Sequence, residues 1–227
     1  MNSQDRDLAR ASKTYHRQLA SVNPNDHPGV RRYLISHGIS KGPIINRYRL
    51  GVVDVPLSGD ERYTAMLVIP YLSRNGVKAI RFRNLGDGKP KFAQPAGQSA
   101  RLYNTAAYFS AGDTIGLAEG EIDAIAATEC LGVPTIGIPG AEMWTAHRGI
   151  WAPIFKNFAR VLIFRDGDQA GQDLADAVSE SLKYRARVIS PPPGEDVSSM
   201  IAAGREKELT EKIANIDEDD NSDADEN

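Results

Sequence analysis

Arg160-Val161-Leu162-Ile163-Phe164-Arg165-Asp166-Gly167-Asp168-Gln169-Ala170-Gly171 is the stretch whose reading decides the fold. Its opening apolar run is short and does not alternate with polar residues. That is the pattern of a strand covered on both faces. From Gln169 the period changes: apolar residues recur at helical spacing, which predicts a helix over 169–182. Between strand and helix stand two aspartates flanking a glycine.

Working outward, the same alternation repeats. Strands are predicted over Thr114–Ala118, Val133–Ile138 and Arg187–Ser190, the last closed by Pro191-Pro192-Pro193-Gly194. Helices are predicted over Glu121–Leu131, ended by Gly132, and over Glu142–Phe158, where Pro153 is expected to kink or divide the helix. Apolar strands alternating with helices predict an α/β fold: a parallel sheet flanked by helices.

The first half has a different grammar. Leu8, Tyr15, Leu19 and Val22 mark a helix, and Asn23-Pro24-Asn25-Asp26 breaks it. Val30, Tyr33, Leu34 and Ile35 mark a second helix, and another follows His37-Gly38. Strands are predicted over Arg49–Val55, Ala65–Tyr71 and Lys78–Arg83, with Arg74-Asn75-Gly76 as a hairpin turn. This half reads as a smaller α+β subdomain with an antiparallel sheet. The predicted organisation is an α+β basic subdomain over 1–110, a catalytic α/β domain over 111–206, and a helical end with a disordered acidic tail over 207–227.

In open α/β sheets, sites form beyond the carboxyl ends of strands. Acids fall at three such ends: Glu119 in Glu119-Gly120-Glu121, Asp166 with Asp168, and Asp196 in Gly194-Glu195-Asp196. Crowded carboxylates repel one another unless a cation joins them, and Mg²⁺ takes oxygen ligands. Gly120 and Gly167 leave room for tight turns and a close ligand. Other roles stay open. Glu119 and Glu121 can complement a helix dipole, and Asp196 can cap a helix starting near Val197. A calcium loop starting at Asp166 is excluded, because its fifth and twelfth positions are Ala170 and Ala177.

Composition narrows the class. A hydrophobic fraction of 41% and 227 residues suit a globular protein with a full core. The single cysteine excludes a zinc site built from several thiolates. No apolar run reaches membrane-spanning length, and the polar Met1–Arg10 is no secretory signal, so a cytoplasmic protein without membrane partners is expected. The net charge of −3 hides an asymmetry. Seven acids lie between Asp217 and Glu226, and the rest of the chain stands at +4. Between Arg74 and Arg101, seven basic residues face only Asp87, with Phe82, Phe92 and Tyr103 nearby, a polyanion-binding composition. Neither a Gly-x-x-x-x-Gly-Lys-Ser/Thr loop nor a Gly-x-Ser-x-Gly elbow is present, which sets aside helicase-type NTPases and α/β-hydrolases.

These motifs, in this order, resemble the Toprim domain shared by bacterial DnaG-type primases, topoisomerases and some nucleases. Glu119-Gly120-Glu121-Ile122-Asp123-Ala124 resembles its glutamate motif, and Asp166-Gly167-Asp168-Gln169-Ala170-Gly171 its Asp-x-Asp motif. Pro193-Gly194-Glu195-Asp196 is similar to the third motif of primases, and Ile138-Pro139-Gly140-Ala141 to the turn between the first two. Tyr15-His16-Arg17-Gln18-Leu19, Tyr33 to Ser40, Leu50-Gly51, Arg81-Phe82-Arg83, Lys91-Phe92 and Leu102-Tyr103-Asn104 resemble a primase catalytic core.

The resemblance, over about Leu8 to Arg205, implies RNA primer synthesis from NTPs on single-stranded DNA with Mg²⁺ or Mn²⁺. It implies Glu119, Asp166 and Asp168 as catalytic residues, these and Asp196 as metal ligands, and Arg81, Arg83, Lys89, Lys91 and Arg101 as template or nucleotide contacts. Two departures stand out. Ser198 occupies the position of a second third-motif aspartate, and neither a zinc ribbon nor a helicase module has a counterpart. A separate zinc-binding or helicase partner and a phage origin, hence the host cytoplasm, are therefore expected. The alternatives are a metal-dependent Toprim nuclease and a non-catalytic single-stranded-DNA-binding subunit.

Overall fold

Both grammars are realised in the computed structural model, which describes residues 8–21 and 27–225. Val22, the break from Asn23 to Asp26, and Glu226 lie outside the described residues. The chain divides into two compact units between Arg101 and Leu102.

The first unit contains α1 (Leu8–Ser21), α2 (Pro28–Ile35) and α3 (Gly42–Tyr48). Its strands are β1 (Gly51–Val52), β2 (Leu67–Ser73), β3 (Gly76–Arg83) and β4 (Phe92–Ala93). They pair antiparallel in the order β1-β2-β3-β4. Two predicted strands start late for one reason. Arg49 (φ 51°) and Ala65 (φ 65°) are left-handed, a backbone conformation that no strand accepts. The hairpin turn sits one residue earlier than the Asn-Gly signal: Ser73 pairs with Gly76, so Arg74 and Asn75 turn the chain.

Helix α1 lays Ala11 and Tyr15 against Val53, Tyr63, Val68, Ile80 and Phe82. Tyr63 stacks on Phe82 at 3.9 Å between centroids. The Tyr15 hydroxyl donates to buried Asp60 at 2.5 Å and accepts from the Leu57 N–H at 3.1 Å. It thereby satisfies a charge that burial would otherwise make costly. Gly51 lets the helix come this close, since a Cβ there would fall 2.6 Å from the Tyr15 carbonyl carbon.

The second unit opens with α4 (Ala107–Ser110) and then alternates. The order is β5 (Thr114–Glu119), α5 (Glu121–Cys130), β6 (Thr135–Ile138), α6 (Ala141–Phe155), β7 (Arg160–Phe164), α7 (Gln169–Leu182) and β8 (Ala186–Ile189), followed by α8 (Val197–Ala202) and α9 (Glu206–Asp225). All strand pairs are parallel, in the order β6-β5-β7-β8. From β5 the chain steps to one side to form β6 and then returns past β5 to form β7. Right-handed crossovers therefore put α5 on one face and α6 and α7 on the other. Trp144 of α6 is fully buried and donates its indole N–H to the Ala177 carbonyl and Ser181 hydroxyl of α7, each at 3.3 Å.

Pro153 does not divide α6, because only Ile154 and Phe155 follow it before the helix ends. Helix α9 continues through Asp225, into the acidic stretch. The segment holds no glycine or proline to stop it, and its start is tied by Arg205–Glu208 at 2.7 Å and Lys207–Glu211 at 3.4 Å. No described helix is long and apolar enough to cross a membrane.

Gly51→Ala should destabilise the first unit by about 1–3 kcal/mol, the usual range for overpacking, because backbone atoms of Tyr15 occupy the space. Urea unfolding followed by circular dichroism measures this. A midpoint equal to wild type would show that α1 does not press on β1.

Candidate active site

Strand order fixes where the site forms. The chain reverses direction between β5 and β7, which makes a crevice beyond their carboxyl ends. Ala118 pairs with Phe164 there. Glu119 is the last residue of β5, and Asp166 stands just past the end of β7.

Three local devices bring the other acids in. Gly167 N–H donates to the Glu195 carbonyl at 2.7 Å, and Gly194 N–H donates to the Gly167 carbonyl at 2.9 Å. This exchange fastens the segment that precedes α8 onto the turn after β7. A Cβ at Gly167 would lie 2.2 Å from the Pro192 carbonyl oxygen. The expectation that Gly167 makes room for a ligand is thus corrected: the protein's own backbone fills that space. Gly171 likewise admits the Asp166 carbonyl, which would stand 2.3 Å from a Cβ.

Asp168 and Asp196 both cap helices. Asp168 Oδ1 accepts from the Gly171 N–H at 2.8 Å at the start of α7. Asp196 Oδ1 accepts from the Ser199 N–H at 2.7 Å at the start of α8. The cap that the sequence left open for Asp196 is present, and the cap at Asp168 was not foreseen. In both residues the cap bond falls on one oxygen and leaves Oδ2 outside it.

Asp123 completes the group. The sequence singled out its motif but gave it no role. It is 9% exposed on α5, among Ile122, Ala124, Ile125, Ala126 and Ala127, all of which are buried. Its Oδ1 accepts from the Ser198 N–H at 2.9 Å. An acid inside so apolar a run was the available signal, because a buried charge needs partners.

The electrostatics show that these acids share one space. Burial pushes the Asp166 carboxyl up to about 8, and the neighbouring Asp123, Glu119, Asp196 and Asp168 push in the same direction. Asp123 is raised to about 7 by its burial and then by Asp196, against the hydrogen bond from the Ser198 N–H. The donor set is all carboxylate oxygen, which suits hard divalent cations. Among the described residues, no three His, Cys, Asp or Glu side chains are arranged to hold a metal ion on their own. Mg²⁺ needs no such cage, since it uses one or two carboxylates, several waters and substrate phosphates. The residues therefore fit such an ion in charge and in donor chemistry.

The basic candidates belong to the first unit. Arg81 and Arg83 alternate along β3 and lie over the Phe92 ring at 4.2 and 4.8 Å, with Arg83 also 4.6 Å from the Tyr33 centroid. Lys89, Lys91 and Arg101 are exposed. The turn carrying Lys89 is closed by Asn84, which donates to the Gly88 carbonyl at 2.8 Å. Phe82 and Tyr103 are buried in the cores of their units, so neither offers a ring face to a polyanion.

The raised range of Asp166 has a consequence for stability. The folded protein holds this proton up to about pH 8, whereas the unfolded chain releases it near 3.8. Between those values the folded state binds more protons, so stability falls as pH rises. The melting temperature of metal-free protein should drop steadily from pH 5 to about pH 8, and Asp166→Asn should flatten the drop. A wild-type profile that is flat across this range would contradict the crowding.

No protein-family model matches the chain. The gene 57 protein of Mycobacterium phage D29 is 42% identical over 156 residues, which make up 66% of this chain and 99% of that protein. A DNA primase domain from Pseudomonas aeruginosa superposes with a TM-score of 0.69 at 21% identity, covering 91% of this chain and 77% of that one. The RNA polymerase domain of Mycobacterium tuberculosis primase DnaG, in complex with a double-stranded DNA oligomer with a 6-nucleotide overhang, gives 0.70 at 16% identity, covering 91% and 78%. The antiparallel unit followed by the four-stranded parallel sheet is thus the fold of the DnaG catalytic core, and the chain belongs to the family of the mycobacteriophage gene 57 protein.

Proposed function

We propose that this chain is the catalytic core of a DNA-dependent RNA primase, which joins NTPs into short primers on single-stranded DNA by nucleotidyl transfer during DNA replication. The observation that carries this reading is the crowding of Glu119, Asp123, Asp168 and Asp196 about half-buried Asp166 at the switch point of the sheet. Phosphoryl-type transfer needs little covalent help from the protein. It needs positioned negative ligands that hold cations on a triphosphate.

In this reading Asp166 is the central ligand, and Asp168 and Asp196 offer their Oδ2 atoms while the helix caps fix their Oδ1 atoms. Glu119 holds a cation or takes the proton of the attacking 3′-hydroxyl. Mg²⁺ or Mn²⁺, when bound, would activate the attacking oxygen and stabilise the leaving one. Arg81, Arg83, Lys89, Lys91 and Arg101 contact template phosphates or the incoming nucleotide. The DNA held by the M. tuberculosis relative supports nucleic acid as the partner. With a phage protein as its relative, the reaction in this reading runs in the host cytoplasm.

Incubation with single-stranded DNA, labelled NTPs and Mn²⁺ tests the reading. Short RNA products are expected, and Asp166→Ala should lower their yield by at least about a hundredfold, the scale for removing an electrostatic stabiliser, with template binding kept. Lys91→Glu should weaken template binding first, and Lys91→Ala should reduce the log–log salt slope of binding by about 0.7. DNA cleavage without nucleotides would favour the nuclease. Template binding with neither activity would favour a non-catalytic subunit.

A further inference from the structure

Ser198 is the second residue of α8 and is fully buried. It touches two of the crowded carboxylates at once. Its N–H donates to Asp123 Oδ1 at 2.9 Å, and its hydroxyl donates to Asp196 Oδ1 at 2.9 Å. Asp123 comes from α5, and Asp196 comes from the segment before α8, so one small side chain ties together two elements distant in sequence.

The geometry has a directional effect. Asp196 Oδ1 receives both the Ser199 N–H and the Ser198 hydroxyl. A cation can take Oδ2 without breaking either bond. Two hydrogen bonds on one oxygen also fix the carboxylate plane, so its ordering is complete before any ion arrives. The donors are neutral, and the negative charge stays available to the ion.

We propose that Ser198 is a positioning residue for the divalent-cation site, yoking Asp123 to Asp196 and presenting Asp196 to the ion through Oδ2. This inference rests on the metal-site reading above and deepens it. Ser198→Ala removes only the hydroxyl bond, since the backbone N–H to Asp123 remains. Ser198→Thr keeps the hydroxyl. Ser198→Asp would set a third carboxylate between two that already repel each other.

The test is Mn²⁺ affinity, read from the electron paramagnetic resonance of free Mn²⁺ without nucleotide or DNA. Circular dichroism and metal-free melting temperature serve as checks of folding, and Asp166→Asn controls for the site itself. Losing one hydrogen bond of ordinary net strength should weaken Mn²⁺ binding by Ser198→Ala roughly three- to tenfold, with Ser198→Thr restoring it. If Asp166→Asn loses Mn²⁺ while Ser198→Ala binds like wild type, the yoke is overturned and the metal site stands. A lower metal-free melting temperature in Ser198→Ala with unchanged Mn²⁺ affinity overturns it too, by making the residue merely structural. If Asp166→Asn binds Mn²⁺ like wild type, the metal-site reading itself falls. Should Ser198→Thr fail to fold, the comparison of Ser198→Ala with wild type still decides.

Discussion

Like-charge repulsion at one sheet edge is the constraint to which the second unit answers. Asp166 is pushed to about 8 because partial burial strips some of its water and the charges of four other acids push in the same direction. Left alone, such a group is destabilising at neutral pH. The fold keeps it by spending backbone geometry. Gly167 and Gly171 admit carbonyl groups where side chains would collide, and the loop before α8 is drawn onto the turn after β7. The bonds that hold Asp123, Asp168 and Asp196 come from neutral donors: the N–H groups of Ser198, Gly171 and Ser199, and the Ser198 hydroxyl. Arg165, next in sequence, donates to the Asp166 carbonyl at 2.9 Å. Asp123, Asp168 and Asp196 are thus ordered by donors that bring no positive charge of their own.

The first unit solves a different problem. Its sheet is two-sided, with one face sealed by α1 through Tyr15, Phe82 and Tyr63. Arg81 and Arg83 rest their guanidinium groups on Phe92, and Arg83 also on Tyr33. Such stacking limits the freedom of long cationic side chains while leaving their charge intact. A phosphate meeting them would find groups already partly ordered, which reduces the entropy lost on binding.

Much of this was legible in the sequence wherever a single local rule governs. The strand over 160–164 and the helix over 169–182 match the structure residue for residue, because an apolar run and a clean helical period point the same way. The places of Glu119 and Asp166 at the ends of β5 and β7 were legible as well, since each follows directly on an apolar run, whereas the strand order that makes those ends neighbours was not. The misreadings share a cause: each depended on a distant neighbour. Gly167 looked open until Pro192 and Glu195 were seen to fill its space. Asp123 looked like one acid in a helix start until Ser198 and Asp196 reached it. Phe82 and Tyr103 read as part of a polyanion-binding composition, yet both are core residues. Arg49 and Ala65 broke predicted strands through left-handed backbone that neither residue type advertises.

The most direct measurement is the titration of the Asp166 carboxyl carbon by ¹³C NMR, in metal-free protein and again with Mg²⁺. The carboxyl should titrate near 8 without the ion, and Mg²⁺ should drive it well downward as the cation takes over the role of the proton. A carboxyl that titrates in the ordinary range near 4, unmoved by Mg²⁺, would contradict a shared carboxylate site at this edge of the sheet.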